Sequence, residues 1–307
     1  MSRKLRAPRE SWREVPTIAQ PLGTERFVLS EGPVWDPDST SVTWVDIEAG
    51  RILTAQWAAG ALSAAPTSID LGEQVGCAIP LNDGRTLAAL TRCLAVVEPD
   101  GRTIRSRELT PVGTRFNDGK IDPQGRLVVG TIALQEPAGS QLLLRLEADG
   151  SITVLDDDLL LANGLGWSPD GRTLYSVDTL AETIYRRGYG SGAPGDRSPF
   201  VVGAPFDGMT VDAGGNILVA IWGSGEVRCF DPAGRPVPER TIRVAAPHTS
   251  SVTFVGSALD TFVVTSASRD LSDQERELWP DAGGLFFGSD GTVGLPPTPW
   301  HEAPLPG

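Results

Sequence analysis

Short turn motifs recur along this chain of 307 residues, and equivalent positions of successive turns are 41 to 46 residues apart. They read WDPDS at 35–39, LNDGR at 81–85, IDPQGR at 121–126, WSPDGR at 167–172 and VDAGGN at 211–216. A short run rich in β-forming residues follows each motif, a second run often follows it, and helical periodicity is almost absent. A sixth, degenerate unit begins with SVTFVG at 251–256. Four strands per repeat at this period are typical of propellers, so the sequence predicts an all-β fold, a six-bladed β-propeller.

The repeats also suggest how the chain is organised. They fill it from residue 27 onwards, so we expect an N-terminal arm over residues 1–26 and a single propeller domain over residues 27–307. The chain contains 35 Gly and 25 Pro, more than long helices tolerate and suited to many tight turns. The first 13 residues are basic but lack the apolar stretch of a secretion signal.

The charge and the cysteine content limit the kinds of partner and the cellular compartment that we expect for this protein. The chain has 26 Lys and Arg against 39 Asp and Glu, a net charge of −13 that repels nucleic acid. No apolar run is long enough to span a membrane as a helix. The three cysteines form no CxxC pair, which suits a reducing compartment. We therefore expect a cytoplasmic protein whose partner is a small molecule, with the oligomeric state left open.

Two Asn-Asp-Gly trios occupy different places in the repeat. The trio at 82–84 is the hairpin turn itself, whereas the trio at 117–119 precedes its own turn, where the innermost strand of the blade begins. The equivalent positions in the other repeats are Glu31, Gly76, Asn163, Asp207 and Ser250. Innermost strands of a propeller start around one end of the central channel. We therefore expect Glu31, Asn117, Asn163 and Asp207 to face one another.

The chemistry of these four residues favours a metal. A single Asn or Asp at the start of a strand often does no more than bond backbone groups. Two carboxylates crowded in a channel are costly, however, unless a cation lies between them. Oxygen-only ligands favour a hard divalent cation, and a set of three leaves positions open for water and substrate, as metal-assisted catalysis requires. Asp46 and Asp178 lie within strands and are interpreted as acceptors for backbone amides.

Several longer segments carry a resemblance to a known family. They are SEGPVWDP, RFNDGKIDPQGR, NGLGWSPDGRTLYSVDT, FDGMTVDAGGNILVAIWGSGEV and TSASRDLSD. Together they resemble the family of senescence marker protein (regucalcin), gluconolactonase and luciferin-regenerating enzyme, from residue 27 to residue 295. The resemblance implies a six-bladed propeller that holds one divalent metal ion in its channel and hydrolyses sugar lactones.

The resemblance also implies roles for individual residues. Glu31, Asn163 and Asp207 correspond to metal ligands, and Asp207 to the proposed acid/base. Arg115 and Asn117 correspond to residues that contact substrate, and Arg115 enters the prediction from the resemblance alone. The segment GTIALQEP departs from regucalcin-like members, because Gln135 stands where they carry a substrate-contacting Glu. Asp118 is a further candidate for the substrate site, with a purely structural role in its loop as the alternative.

These observations lead to one functional hypothesis and its alternatives. We expect a metal-dependent lactonase that opens aldonolactones such as gluconolactone, xylonolactone or arabinonolactone. Ca²⁺ is the first choice of cofactor, with Mn²⁺, Mg²⁺, Zn²⁺ or Fe²⁺ as alternatives. Asp207 either takes a proton from the attacking water or serves only as a ligand. The rival functions are a non-catalytic, metal-binding regulatory propeller, a related propeller esterase or organophosphatase, and a peptide-binding scaffold.

Overall fold

The computed structural model describes residues 16–135, 139–190 and 195–307, which form six antiparallel blades around a central channel. The innermost strand of each blade contacts the innermost strands of the two neighbouring blades, so the six strands close a ring. This architecture confirms the six-bladed propeller predicted from the repeat period. Among the described residues, no helix is long and apolar enough to cross a bilayer.

Blades 1 to 3 follow one another along the chain, each running from its innermost strand outwards. Blade 1 consists of β3 (Ser30–Asp36), β4 (Ser41–Asp46), β5 (Arg51–Ala58), β6 (Ala61–Leu62) and β7 (Thr67–Asp70), with β6 and β7 both paired to β5. Blade 2 consists of β8 (Cys77–Pro80), β9 (Thr86–Ala89), β10 (Leu94–Val97) and β11 (Thr103–Arg105). Blade 3 consists of β12 (Thr114–Ile121), β13 (Leu127–Ala133), β14 (Gln141–Leu146) and β15 (Ile152–Leu159).

Blades 4 to 6 complete the ring. Blade 4 consists of β16 (Ala162–Trp167), β17 (Thr173–Asp178), β18 (Thr183–Gly188) and β19 (Ser198–Val202). Blade 5 consists of β20 (Phe206–Val211), β21 (Ile217–Ile221), β22 (Glu226–Phe230) and β23 (Ile242–Arg243), with a 3₁₀ turn at Pro238–Arg240. Blade 6 consists of β24 (His248–Val255), β25 (Thr261–Ala267) and β26 (Leu285–Gly288), with helix α1 (Asp273–Leu278) between its last two strands.

Two strands from the start of the chain join the last two blades. β2 (Gln20–Leu22) pairs antiparallel with β26 and becomes the outer strand of blade 6, while β1 (Thr17–Ile18) pairs parallel with β23. Residues 17–22 therefore belong to the sheets of blades 5 and 6, although they fall within the predicted arm 1–26. The physical reason is that pairing with the N-terminal strand covers an otherwise open edge of blade 6. Residues 1–15 of that arm lie outside the described residues.

The two Asn-Asp-Gly trios occupy the two kinds of place that the repeat indicated. Residues 82–84 form the hairpin between β8 and β9, where the amide of Gly84 donates to the carbonyl of Leu81 at 3.1 Å. Gly84 has a φ of +85°, a conformation that glycine adopts without a steric penalty. Residues 117–119 lie inside β12 instead.

Apolar clusters between adjacent blades form the core. Each of six clusters of buried residues joins one pair of neighbouring blades, as Phe206 and Val177 do between blades 4 and 5. The C-terminal segment packs under the ring, where Trp300 joins the cluster of blades 2 and 3. An apolar cavity of about 350 Å³ opens at this end of the channel, between the last residues of the innermost strands and Leu295.

Candidate active site

Four of the predicted site residues lie at irregularities in the innermost strands. The pairing register shifts between Glu31 and Val34, between Phe116 and Gly119, between Ala162 and Leu165, and between Phe206 and Met209. These shifts contain or adjoin Glu31, Asn117, Asn163 and Asp207. A bulge interrupts the alternation of side chains and re-aims the residues within it. The bulges thus allow polar side chains to be buried at the ring centre while the rest of each strand packs apolar residues between blades.

Glu31, Asn163 and Asp207 come together from three different blades. The Asn163 Nδ2 group donates one hydrogen bond to Asp207 Oδ1 and another, of 3.1 Å, to the Thr179 hydroxyl. The carboxyl groups of Glu31 and Asp207 lie close enough for each to affect the pKa of the other. All three side chains are at most 7% exposed. The structure therefore brings the three predicted metal ligands into one buried cluster.

The two carboxylates of this cluster are electrostatically strained. Burial raises the pKa of Glu31 well above its ordinary value, and the charges of Asp207 and Asp118 raise that pKa further. Burial and the Asp118 charge likewise raise the pKa of Asp207, although its hydrogen bond from Asn163 acts in the opposite direction. A divalent cation would relieve this repulsion, because it would compensate both negative charges at once.

The donor atoms also fit a hard cation. Asn163 Oδ1 is buried and has no hydrogen-bond partner among the described residues, which leaves a carbonyl-type oxygen beside the two carboxylates. In residues 16–135, 139–190 and 195–307, no three His, Cys, Asp or Glu side chains are grouped so as to hold a metal. A third protein ligand here would therefore be a neutral oxygen, and the unpartnered Asn163 Oδ1 can serve as that ligand. Two carboxylates and an amide oxygen suit Ca²⁺, Mg²⁺ or Mn²⁺.

Arg115 and Asn117 lie next to this cluster on β12. Arg115 Nη1 donates to Asn117 Oδ1 at 2.8 Å and to the Phe116 carbonyl at 2.9 Å. Asn117 Nδ2 in turn donates to the carbonyl of Ala162 at 3.0 Å, which ties blade 3 to blade 4. Burial lowers the pKa of Arg115 to about 10, whereas the negative charge of Glu48 acts to raise it. The guanidinium is thus a buried cation held beside the acidic cluster.

Asp118 and Gln135 have different surroundings. Asp118 is buried, and burial raises its pKa while the nearby charge of Lys120 lowers it. Lys120 Nζ donates to the Met209 carbonyl at 2.9 Å, so this Lys links blade 3 to blade 5. Gln135 is exposed two residues after β13 ends, beside residues 136–138 that lie outside the described chain. The structure therefore places Asp118 near enough for its charge to act on Glu31 and Asp207, and it leaves Gln135 exposed at the end of blade 3.

Sequence reasoning missed a second layer of polar residues at the same end of the channel. Glu48 pairs with Arg269 at 3.0 Å and accepts a hydrogen bond of 2.8 Å from Gln74. The His248 ring bonds the Arg269 carbonyl at 3.0 Å and stacks on Trp222 with ring centroids 4.4 Å apart. These residues come from blades 1, 2, 5 and 6. They are far apart in sequence, and the segments that carry the family resemblance contain only two of them, Trp222 and Arg269.

Two buried carboxylates hold the backbone that leads into the ligands. Asp46 accepts from the amides of Val28 and Leu29, at 3.2 and 3.1 Å. Asp178 accepts from the amides of Leu160 and Leu161, at 2.9 and 3.0 Å. Both carboxylates thus bond backbone amides, as the sequence indicated. They fix the chain two or three residues before Glu31 and Asn163.

Comparison with known proteins finds a matching family and relatives that align along most of the chain. The family model described as "SMP-30/Gluconolactonase/LRE-like region" matches residues 29–268. The chain is 35% identical to pentonolactonase XacC of Haloferax volcanii, over 85% of this chain and 90% of that protein. It is 32% identical to regucalcin of Gallus gallus, over 91% of this chain and 97% of that protein.

A solved structure shows how far the likeness extends in three dimensions. The calcium-binding protein regucalcin of Agrobacterium tumefaciens superposes with a TM-score of 0.86 at 28% identity, covering 94% of this chain and 98% of that one. The relatives are therefore matched along nearly their whole length, in sequence and in fold. The chain belongs to the SMP-30/gluconolactonase/LRE-like family.

Proposed function

We propose that this protein is a metal-dependent lactonase that opens sugar lactones to the corresponding sugar acids. The observation that carries the proposal is the convergence of Glu31, Asn163 and Asp207 in one buried cluster, where Asn163 Oδ1 has no partner among the described residues. The family relative pentonolactonase XacC, at 35% identity, supports a sugar lactone as the substrate class.

Glu31, Asn163 and Asp207 would hold the cation by their side-chain oxygens. A bound divalent cation supplies a Lewis acid that polarises the lactone carbonyl. Ca²⁺ is our first choice, because the ligands are all oxygen atoms and the regucalcin of Agrobacterium tumefaciens is described as a calcium-binding protein. Other divalent ions that accept oxygen ligands are the alternatives.

The protein's own residues would orient the substrate and move protons. A water molecule attacks the carbonyl carbon of the lactone, and Asp207 accepts a proton from it. The bond between the carbonyl carbon and the ring oxygen then breaks, and the ring oxygen takes up a proton to give the hydroxy acid. Arg115 and Asn117 donate hydrogen bonds to substrate oxygens and fix the orientation of the ring. Asp118, whose charge acts on both Glu31 and Asp207, keeps the proton affinity of the cluster high.

The test is acid release in weak buffer from metal-stripped protein, with one divalent ion added back at a time. Gluconolactone, xylonolactone and arabinonolactone serve as substrates, and the spontaneous opening rate is subtracted. We expect turnover that depends on the added ion and is lost in Asp207→Ala. Tight metal binding without turnover would instead support the non-catalytic, metal-binding alternative. Full activity in Asp207→Ala would refute the proposed role of this residue.

A further inference from the structure

Blade 6 lies between the two blades that carry the carboxylates of the site. Asp207 lies in blade 5 and Glu31 in blade 1, and the innermost strand of blade 6, β24, contacts the strands of both. At the equivalent position β24 carries Ser250, which is fully buried and lies at a register shift of its own, between Thr249 and Ser251. This bulge therefore lies on the strand that joins the blade of Asp207 to the blade of Glu31.

Contact between blades 5 and 6 depends on the glycine that follows Asp207. A Cβ atom built on Gly208 would lie 2.1 Å from Ser251 Oγ, 2.5 Å from Ser251 Cβ and 2.9 Å from the Ser250 carbonyl oxygen. Atoms in ordinary contact are about 3.5–4.0 Å apart, so no other residue fits at position 208 without displacing blade 6. The absence of a side chain at Gly208 thus sets how closely the backbone that carries Asp207 approaches this bulge.

The hydroxyl group of Ser250 makes one of the contacts between blades 6 and 1. It donates a hydrogen bond of 2.6 Å to the carbonyl of Ser30, the residue directly before Glu31. The same hydroxyl lies 2.8 Å from that of Thr265 in β25, which orients it. Ser250 thus connects blade 6 to the peptide that carries Glu31.

We propose that Gly208 and Ser250 are positioning residues, which together hold Asp207 and Glu31 at the spacing that a divalent cation requires. This inference rests on the metal site proposed above. The two carboxylates repel each other, so a loosened contact on either side of blade 6 lets them move apart. Mutating groups that orient metal ligands typically lowers metal affinity by about 10- to 100-fold.

A calorimetric titration of metal-stripped protein with Ca²⁺ tests the role of Ser250. We expect Ser250→Ala to bind Ca²⁺ about 10- to 100-fold more weakly than the parent protein. The matched control is Ser266→Ala, because Ser266 is equally buried in blade 6 and its hydroxyl donates a bond of 2.8 Å to Gly284 rather than to the backbone beside a ligand. The control variant is expected to keep the affinity of the parent protein.

Gly208→Ala tests the other contact and is expected to weaken Ca²⁺ binding to a similar degree. Adding Ser251→Gly removes the two closest of the three atoms that the new methyl group meets and leaves only the Ser250 carbonyl oxygen at 2.9 Å, so the double variant is expected to recover part of the affinity. Gly188→Ala is the control, since a Cβ at Gly188 meets no atom within 4 Å. Equal Ca²⁺ affinity in the parent, Ser250→Ala and Gly208→Ala would overturn this inference but not the metal site. A parent protein that binds no divalent ion would overturn both, and if Gly208→Ala does not fold, Ser250→Ala decides alone.

Discussion

Replacing Glu31 by Gln removes one charge from a buried pair of carboxylates, and we expect the metal-free protein to become more stable. Glu31 is 7% exposed, and its pKa is raised by burial and by the charges of Asp207 and Asp118. Two like charges about 4 Å apart repel each other by about 4 kcal/mol at an effective dielectric constant of about 20. Uptake of a proton by the pair relieves part of this repulsion. We therefore expect the free energy of unfolding to rise by about 1–2 kcal/mol.

The same substitution is expected to have the opposite effect when metal is present. A cation at 100 times its dissociation constant stabilises a folded protein by about 2.7 kcal/mol, and Glu31→Gln loses one charged ligand and most of that gain. The Gln side chain keeps an oxygen that can accept the 2.8 Å bond from the Gly32 amide, so the change is mainly one of charge.

Urea unfolding at neutral pH, in chelator and in excess Ca²⁺, measures both effects. Glu277→Gln is the control, because it removes a Glu from the exposed surface of helix α1. A Glu31→Gln protein that is less stable than the parent in chelator would refute the electrostatic reasoning. An unchanged gain on adding Ca²⁺ would exclude Glu31 as a ligand.

Three further substitutions probe the groups around the cluster. Lys120→Met leaves Asp118 buried without its nearby cation, and we expect urea unfolding to show a free energy of unfolding lower by about 3 kcal/mol. Adding Asp118→Asn in the same chain is expected to restore the lost stability. A loss that persists in the double variant would contradict this reasoning. Asp178→Ala removes the acceptor that holds the Leu161 amide, so stability is expected to fall by about 2–3 kcal/mol in the same assay, and unchanged stability would show that water replaces the carboxylate. Arg115→Lys loses the planar fork of the guanidinium, and we expect kcat/KM for gluconolactone to fall about 10- to 100-fold in steady-state kinetics; equal values would remove Arg115 from the substrate site.

The position of a residue within the repeat was the most informative signal in the sequence. A propeller places equivalent residues of successive blades on one ring, so a shared position predicts proximity regardless of sequence separation. Asn163 and Asp207 are 44 residues apart and form a hydrogen bond. The same reasoning separated two identical Asn-Asp-Gly trios, one in a hairpin at 82–84 and one inside β12.

Other features depend on contacts that leave no local pattern. β2 pairs with β26, so Gln20 lies opposite Phe287. No pattern in the residues around either strand predicts that it pairs with a strand near the other end of the chain. Pro21 even argues against a central strand, and it is tolerated here because β2 is the outer strand of its blade. The pair formed by Glu48 and Arg269 joins two loops of different blades and was likewise not predictable.

The distribution of burial implies that the proposed cation is not needed for folding. The electrostatic strain is confined to a few carboxylates at the ring centre, whereas apolar clusters occupy the junctions between blades and include fully buried Trp44, Phe206 and Phe262. Burying one large apolar side chain contributes about 1.5–3 kcal/mol, so a few such residues outweigh the repulsion between Glu31 and Asp207. This differs from small metal-dependent domains, which unfold when the metal is removed. We expect chelator-treated protein to keep its β-sheet circular dichroism and a cooperative thermal transition, and to regain lactone turnover when the ion is returned. Loss of the β signal in chelator would show instead that the cation holds the inner ring together.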